Sequence, residues 1–366
     1  MFRKVTIAML IIGLAGCAKP TDRGQQYIDG NFDQVLNPVP TVESDKSRDY
    51  SMFAEQVAQV IARSSSMTSQ YQALYHQIDH WAKQSGDPSQ LGQYGIQIAQ
   101  MGGGDENGNV LFTGYFSPVI ELRHQPDEVF HYPVYGMPVC DEICPTRAEI
   151  YQGALEGQGL ELGYSASMLD VFMMEVQGSG FVHFDDNNEL QYFAYRGKND
   201  HPYVSIGRIL IERDEIPREK MSLKAIEEWA SLQDEATVRE LLEQNPSYVF
   251  FQPQKSLDVM GTAGIPLLAH ASVAADREYL PMGSVLLAEV PQLDSEGNWN
   301  GQHVLKLLMA LDTGGAVKKN HLDLYHGMGG QAGTDAGHYK HFGRVWKLGL
   351  QDSGTEAPWL SPAATN

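Results

Sequence analysis

The sequence predicts a mainly β chain with helices, an α+β fold whose strand-rich final third closes into a barrel. Three observations point there. Short apolar runs at 248–251, 266–274, 284–290, 303–311 and 343–348 are separated by Gly, Pro, Asp and Asn. Helical spacing is confined to a few segments and does not alternate with the strands as a doubly wound parallel sheet requires. The chain has 366 residues, 42% hydrophobic and 10% aromatic, which is enough apolar material for cores in roughly two domains at about 150 residues each. The same composition excludes a disordered chain. A formal charge of −20 argues against nucleic acid as a partner, because such a chain repels phosphate.

Residues 1–16 read as an address. Arg3 and Lys4 precede an apolar run of 12 residues, 5–16. As a helix that run spans about 18 Å against a bilayer core of roughly 30 Å, so it is a signal-peptide core and not a membrane span. Leu14-Ala15-Gly16-Cys17 looks like a bacterial lipoprotein cleavage site, with Cys17 becoming the lipidated N-terminus. Ordinary secretory cleavage nearby is the plainer alternative. Ala18 lacks the charge of an inner-membrane retention signal, which favours the outer membrane. Of three cysteines this leaves Cys140 and Cys144. An even pair in an exported chain suggests a disulfide closing a Pro-flanked loop, with two free thiols as the alternative. Zinc would need a second pair of ligands.

Residues 18–48 are polar, without apolar periodicity, and read as a tether. Apolar residues three and four apart predict helices at 53–61 and 71–81. After Gly102-Gly103-Gly104, residues 110–116 read as a strand stopped by Ser117-Pro118. Thr146-Arg147-Ala148-Glu149 fits a capping box, and Ser167 caps a helix ending at Gln177-Gly178-Ser179-Gly180. Strand-like pieces follow at 181–184 and 192–195, then helices near 222–232 and 235–244, stopped by Asn245-Pro246. The tail 351–366, rich in Ser, Pro and Ala, is expected to be disordered.

The chemistry-bearing stretch is Ala310-Leu311-Asp312-Thr313-Gly314-Gly315, followed by His321-Leu322-Asp323-Leu324-Tyr325-His326. A strand delivers Asp312 to a Gly turn. Asp323 lies between Leu322 and Leu324, and an apolar setting with a second carboxylate nearby raises a carboxyl pKa. That arrangement keeps an acid protonated, ready to give its proton to a leaving group. Asp beside Gly is also ordinary turn chemistry. Asp-Thr-Gly is shared with aspartic proteases, but such chains use it twice and here it occurs once. His321, His326, His338 and His341 form no ligand motif with a partnered Glu, so no metal is expected. No nucleophile elbow and no phosphate-binding glycine loop is present, so no cofactor is expected either. Lys318, Lys319, Lys340, Arg344 and Lys347 could form a locally basic rim for carboxylates of a substrate, or simply a mixed solvated surface.

Several motifs in order carry a family resemblance. They are the lipoprotein site at Cys17, Phe112-Thr113-Gly114-Tyr115, Pro145-Thr146-Arg147-Ala148-Glu149-Ile150, Val176-Gln177-Gly178-Ser179-Gly180, Asn245-Pro246-Ser247-Tyr248-Val249-Phe250-Phe251, Asp312-Thr313-Gly314-Gly315-Ala316, Asp323-Leu324-Tyr325 and Gly343-Arg344-Val345-Trp346. From about residue 20 to 346 the chain resembles the membrane-bound lytic murein transglycosylase A family. The resemblance implies a double-psi β-barrel domain with a second β-rich domain inserted into it and a glycan groove between them. Carried onto this chain, it gives a signal peptide at 1–16, a lipidated N-terminus and tether at 17–48, a barrel domain at 49–117 plus 247–350, and an inserted domain at 118–246. It implies Asp323 as the catalytic acid and base, Asp312 as its supporting neighbour, and Thr113, Tyr115, Gln177 and Ser179 as groove-lining residues.

The implied activity is non-hydrolytic cleavage of the β-1,4 bond between N-acetylmuramic acid and N-acetylglucosamine in peptidoglycan, leaving 1,6-anhydro ends. The expected partners are glycan strands and, through Cys17, the outer membrane on its periplasmic side. Membership of a larger cell-wall synthesis or hydrolase complex stays open. The competing expectation is a non-catalytic glycan-binding lipoprotein using the same groove.

Overall fold

The computed structural model describes residues 23–24, 27–140 and 143–350. The leader at 1–16, Cys17 and the tail 351–366 lie outside the described residues. The chain begins the barrel with β1 (Leu36–Val39), β2 (Ser47–Asp49), α1 (Phe53–Arg63), α2 (Ser65–Gln84), β3 (Ile96–Met101) and β4 (Val110–Ser117). It leaves the barrel for β5 (Val119–Arg123), β6 (Tyr132–Tyr135), α3 (Arg147–Tyr151), β7 (Glu161–Ser165), α4 (Met168–Gln177), β8 (Gly180–Phe184) and β9 (Glu189–Lys198). This excursion continues with α5 (Ile206–Glu212), α6 (Leu223–Ser231), α7 (Glu235–Glu243) and β10 (Val249–Gln254). It then returns through β11 (Ser272–Ala274), β12 (Val285–Leu293), β13 (Trp299–Asp312), β14 (His321–Met328), α8 (Gly329–His338), β15 (Lys340–Gly343) and β16 (Val345–Leu350).

Two sheets result. The barrel sheet runs β1-β3-β16-β12-β13-β11-β14-β4-β15, with β2 added on β13. Its last turn curls back on β12, where the Glu289 N–H donates to Arg344 O at 2.9 Å. The second sheet runs β10-β9-β8-β5-β7-β6 and contains only strands from the insertion. The fold is therefore mixed α+β and mostly sheet, a nearly closed double-psi type barrel with a second β domain inserted after β4.

Strand periodicity explains the barrel's two cores. On β12 and β13, Leu286, Ala288, Leu308 and Ala310 turn inward to meet Phe112, Val273, Leu322 and Leu324. The alternate residues Val285, Leu287, Leu305, Leu307 and Met309 face outward and are covered by α1 and α2. Strands buried on both faces read as continuous apolar runs, which is how β12 and β13 appear in the sequence. Helix α1 offers Phe53, Val57 and Val60 on one face, and Ser64 then caps α2 by accepting from the Met67 N–H at 3.3 Å. In the insertion, Thr146 and Glu149 form the expected capping box of α3, and Ser167 caps α4 through the Asp170 N–H.

Three expectations are corrected. The tether at 17–48 is shorter than read, because β1 pairs with β3, β2 pairs with β13, and Leu36 and Val42 are buried. Tyr27 and Ser44 also bind the buried Glu289 carboxylate, at 3.0 and 2.6 Å. The inserted unit extends past 246, since β10 pairs with β9 as far as Gln254. The basic rim loses two members. Arg344 donates Nε and Nη2 to Glu289 at 2.9 and 2.6 Å, and Lys347 is buried with Nζ on Tyr279 O at 3.0 Å, burial pushing its pKa down to about 8. The glycine before Arg344 is required: a Cβ on Gly343 would meet Glu289 O.

Cys140 and Cys144 are joined by a disulfide, with Cα atoms 5.3 Å apart.

Candidate active site

One transverse row of the barrel sheet gathers the acidic residues. Ala274 on β11 pairs with Asp312 on one side and with Asp323 on the other. Asp323 pairs in turn with Thr113 on β4, and Thr113 with Lys340 on β15. Adjacent strands lie about 4.8 Å apart, so two strand steps separate the Asp backbones by about 10 Å. The residue between them is alanine, whose side chain is too short to fill the space.

Asp323 is placed by alternation along β14. Leu322 and Leu324 point into the barrel core while His321, Asp323 and Tyr325 point to the opposite face. The flanking leucines therefore do not surround the carboxyl, which corrects the reason given from sequence for its raised pKa. The rise itself is present. Burial in the protein pushes Asp323 up to about 6, the Thr113 hydroxyl at 2.6 Å on Oδ1 pulls it down, and the Asp312 charge pushes it up. Its Oδ2 has no hydrogen-bond partner among the described residues.

Asp312 ends β13 and is held from four directions. Oδ1 accepts from the Thr262 N–H, the Thr262 hydroxyl and the Thr313 N–H, each at 2.9 Å. Oδ2 accepts from the Tyr115 hydroxyl at 3.0 Å. A carboxylate is an acceptor on both oxygens, and this set of donors suits one. Tyr115 is kept as a donor: burial and the neighbouring Asp312 charge both drive its pKa well above the ordinary value. Its ring packs on Tyr325 at 5.2 Å between centroids, and Tyr325 bonds Ser117 at 3.0 Å.

The insertion reaches this cluster through the turn after α4, where Gly178 takes the left-handed conformation. Gln177 Oε1 accepts from the Phe116 N–H at 3.3 Å, so it ties α4 to β4. Ser179 bonds the buried Tyr192, a tyrosine close enough to feel the Asp312 charge. Thus Asp323 is bonded to Thr113 and Asp312 to Tyr115 in neighbouring pairs, Ser179 adjoins the Asp312 pair through Tyr192, and Gln177 braces the junction between the domains.

Two residues were missed from sequence. Thr262 bonds Asp312 across fifty positions and belongs to no motif. In the sequence His321 reads only as a candidate metal ligand; its Nε2 lies 2.8 Å from Thr113 Oγ1. The other histidines of that group lie elsewhere: His326 and His341 both pack against Tyr339, and His341 bonds Gly297 O at 3.1 Å. Among the described residues no group of three His, Cys, Asp or Glu is placed to hold a metal ion. The glycine between Thr113 and Tyr115 is needed for packing, since a Cβ on Gly114 would stand 2.8 Å from both the His326 ring and the Ala336 backbone.

Residues 140–252 match the family model described as the MltA specific insert domain, and 271–349 match the 3D domain. Membrane-bound lytic murein transglycosylase A of Vibrio cholerae is 63% identical over 361 residues, covering 98% of both chains. The chain belongs to the membrane-bound lytic murein transglycosylase A family. The Escherichia coli K12 protein of the same name is 48% identical over 337 residues, covering 92% of each chain. The crystal structure of E. coli MltA with bound chitohexaose superposes with a TM-score of 0.86 at 46% identity, covering 92% of this chain and 100% of that one. The E. coli structure thus shares the fold over 92% of this chain.

Proposed function

We propose that this chain is a peptidoglycan lytic transglycosylase, with Asp323 as the acid and then the base. The observation that carries the reading is a buried carboxyl, its pKa pushed up to about 6, with one oxygen bonded to Thr113 and a second carboxylate, Asp312, two strands away in the same row of the sheet. Protonated Asp323 gives its hydrogen to the glycosidic oxygen as the bond from muramic acid C1 breaks, and C1 takes on oxocarbenium character. The glucosamine leaves with that hydrogen. The Asp323 carboxylate then removes the hydrogen of the muramic acid C6 hydroxyl, whose oxygen bonds to C1 and closes the 1,6-anhydro ring. Asp323 ends protonated, as it began, so neither water nor an enzymic nucleophile enters the balance. Thr113, Tyr115, Gln177 and Ser179 offer uncharged donors and acceptors suited to sugar hydroxyls.

On the same reading residues 1–16 are a cleaved signal peptide, Cys17 carries the lipid, and the protein faces the periplasm from the outer membrane. No helix among the described residues is long and apolar enough to cross a membrane. The deciding experiment is mass spectrometry of sacculi digested by the chain lacking residues 1–17. Anhydro ends are expected. Reducing ends would mean a hydrolase, and no new ends a binding protein; either result overturns the proposal.

Asp312 is proposed to support Asp323 by its charge. Asp312→Asn removes a contribution that raises the Asp323 pKa, so the alkaline limb of the pH–rate profile is expected to move to lower pH, with a smaller loss of rate than at Asp323. An unmoved limb would remove Asp312 from this role.

A further inference from the structure

We infer that His321 is a positioning residue for Asp323, acting through the Thr113 hydroxyl. The inference rests on reading Asp323 as the acid and base, and it concerns which of its oxygens carries the hydrogen. His321 and Asp323 are two residues apart on β14 and share a face, with Thr113 beside them on β4. Thr113 Oγ1 lies 2.6 Å from Asp323 Oδ1 and 2.8 Å from His321 Nε2. A hydroxyl has one hydrogen. Given to Asp323, it leaves the second contact to be filled by a hydrogen on His321 Nε2. The competing hydrogen bond, Nδ1 to Ala316 O, is 3.4 Å long and therefore the weaker of the two. Burial lowers the His321 pKa more than the Ala316 carbonyl raises it, so the ring is neutral with a single N–H, and that hydrogen is assigned to the shorter contact.

The chain His321 Nε2–H to Thr113 O–H to Asp323 Oδ1 therefore runs in one direction. It commits Oδ1 to accepting and leaves the acid hydrogen to Oδ2, the oxygen free to meet substrate. It also supplies a hydrogen bond to the carboxylate that exists between the two halves of the reaction, when Asp323 has lost its proton. Without the ring the Thr113 hydroxyl is free to rotate away. The charged or titratable groups facing this corner are Asp312 from β13, Tyr115 from β4 and Lys340 in register with Thr113 on β15.

The test compares His321→Leu, His321→Gln, Thr113→Val and the Thr113→Val/His321→Leu pair by anhydro-muropeptide release. His321→Leu should lower kcat about 10- to 100-fold with KM changed by less than about threefold. Its alkaline limb should move to higher pH, because Asp323 loses the bond that holds its pKa down. His321→Gln, whose amide N–H can reach Thr113, should restore most of the rate. The double variant should be no slower than Thr113→Val by more than about threefold, since both changes cut one chain. Wild-type kcat in His321→Leu, an unmoved limb, or multiplying losses in the pair would overturn the inference while leaving the proposed activity standing. Absence of anhydro ends from the wild-type digest would overturn both.

Discussion

Asp323→Asn is expected to abolish release of anhydro-muropeptides while the protein still folds and binds glycan. A positioned general acid or base contributes about 10²–10⁴ in rate, and in the proposed mechanism one group serves both steps, so a loss of at least about 10³ is expected. Asparagine keeps the shape and can still accept from Thr113, which confines the change to the transferable hydrogen. In wild type, kcat/KM should fall as pH rises through about 6, where Asp323 ionises. The same shift has a consequence for stability. The folded pKa lies above the ordinary value of 3.8, so the folded state holds this proton more tightly than the unfolded chain does. The resulting stability is fully present below about pH 4 and is lost as pH rises through about 6. Asn does not titrate. The stability of the variant relative to wild type should therefore increase between pH 4 and pH 8, by on the order of 2 kcal/mol given the residual exposure of the carboxyl. Urea unfolding of both proteins across that range checks it. Parallel stability curves would mean that the carboxyl is not held un-ionised, and substantial residual activity in the variant would remove Asp323 from catalysis.

The sequence exposes some of this arrangement and hides the rest for identifiable reasons. Helix α1 is legible from its apolar spacing alone, and α2, α4, α6 and α7 because apolar spacing and Ser or Asp caps agree locally. Strands β12 and β13 are legible as long apolar runs. The period-two pattern of β14 was present in Leu322, Leu324 and His326, but alternation with His321, Asp323 and Tyr325 makes it look like a polar loop. Helix α8 was not legible at all. Gly329, Gly330, Gly333 and Gly337 oppose helix formation, yet the small surface is what lets the helix lie against β4, where Phe116 meets Gly333. Long-range pairings left no local trace. Nothing near Thr262 announces that it will hold Asp312, and nothing near residue 247 shows that β10 still belongs with β9. Motif resemblance identified the acidic residues, but it could not separate residues at the site from residues that hold the scaffold. Arg344 shows this: its motif follows the Asp323 motif closely, and its guanidinium is spent on Glu289 and on Tyr27, whose ring lies 4.3 Å from it.

Arg147 is the clearest scaffold residue, and Arg147→Met should be the most destabilising single change in the inserted domain. Its side chain and that of Glu175 are 1% and 2% exposed, and the pair is bidentate at 3.1 and 2.8 Å. Every guanidinium hydrogen is placed: Nε on Asn245 O, Nη1 on Glu175 and the Tyr151 hydroxyl, Nη2 on Glu175 and Ser247 O. Phe172 and Tyr248 stack against the cation at 4.5 and 5.0 Å. The pair thereby knots α3 and α4 to the strand entry at 245–249, where Glu175 also accepts from the Val249 N–H at 3.0 Å. Methionine fills similar volume but leaves Glu175 charged, buried and opposed only by one backbone N–H. Breaking a buried pair from one side costs about 3–5 kcal/mol, so the melting temperature should fall by roughly 10 °C. Adding Glu175→Gln to Arg147→Met removes the stranded charge and keeps an acceptor for Val249. The double variant should therefore melt above the single one. Since Gln177 at the end of the same helix braces β4, loss of the knot should also reduce glycan cleavage at temperatures where the barrel is still folded. A single variant that melts with wild type would show that the pair contributes nothing to the domain's stability. A double variant less stable than Arg147→Met would show that the loss does not come from the stranded carboxylate.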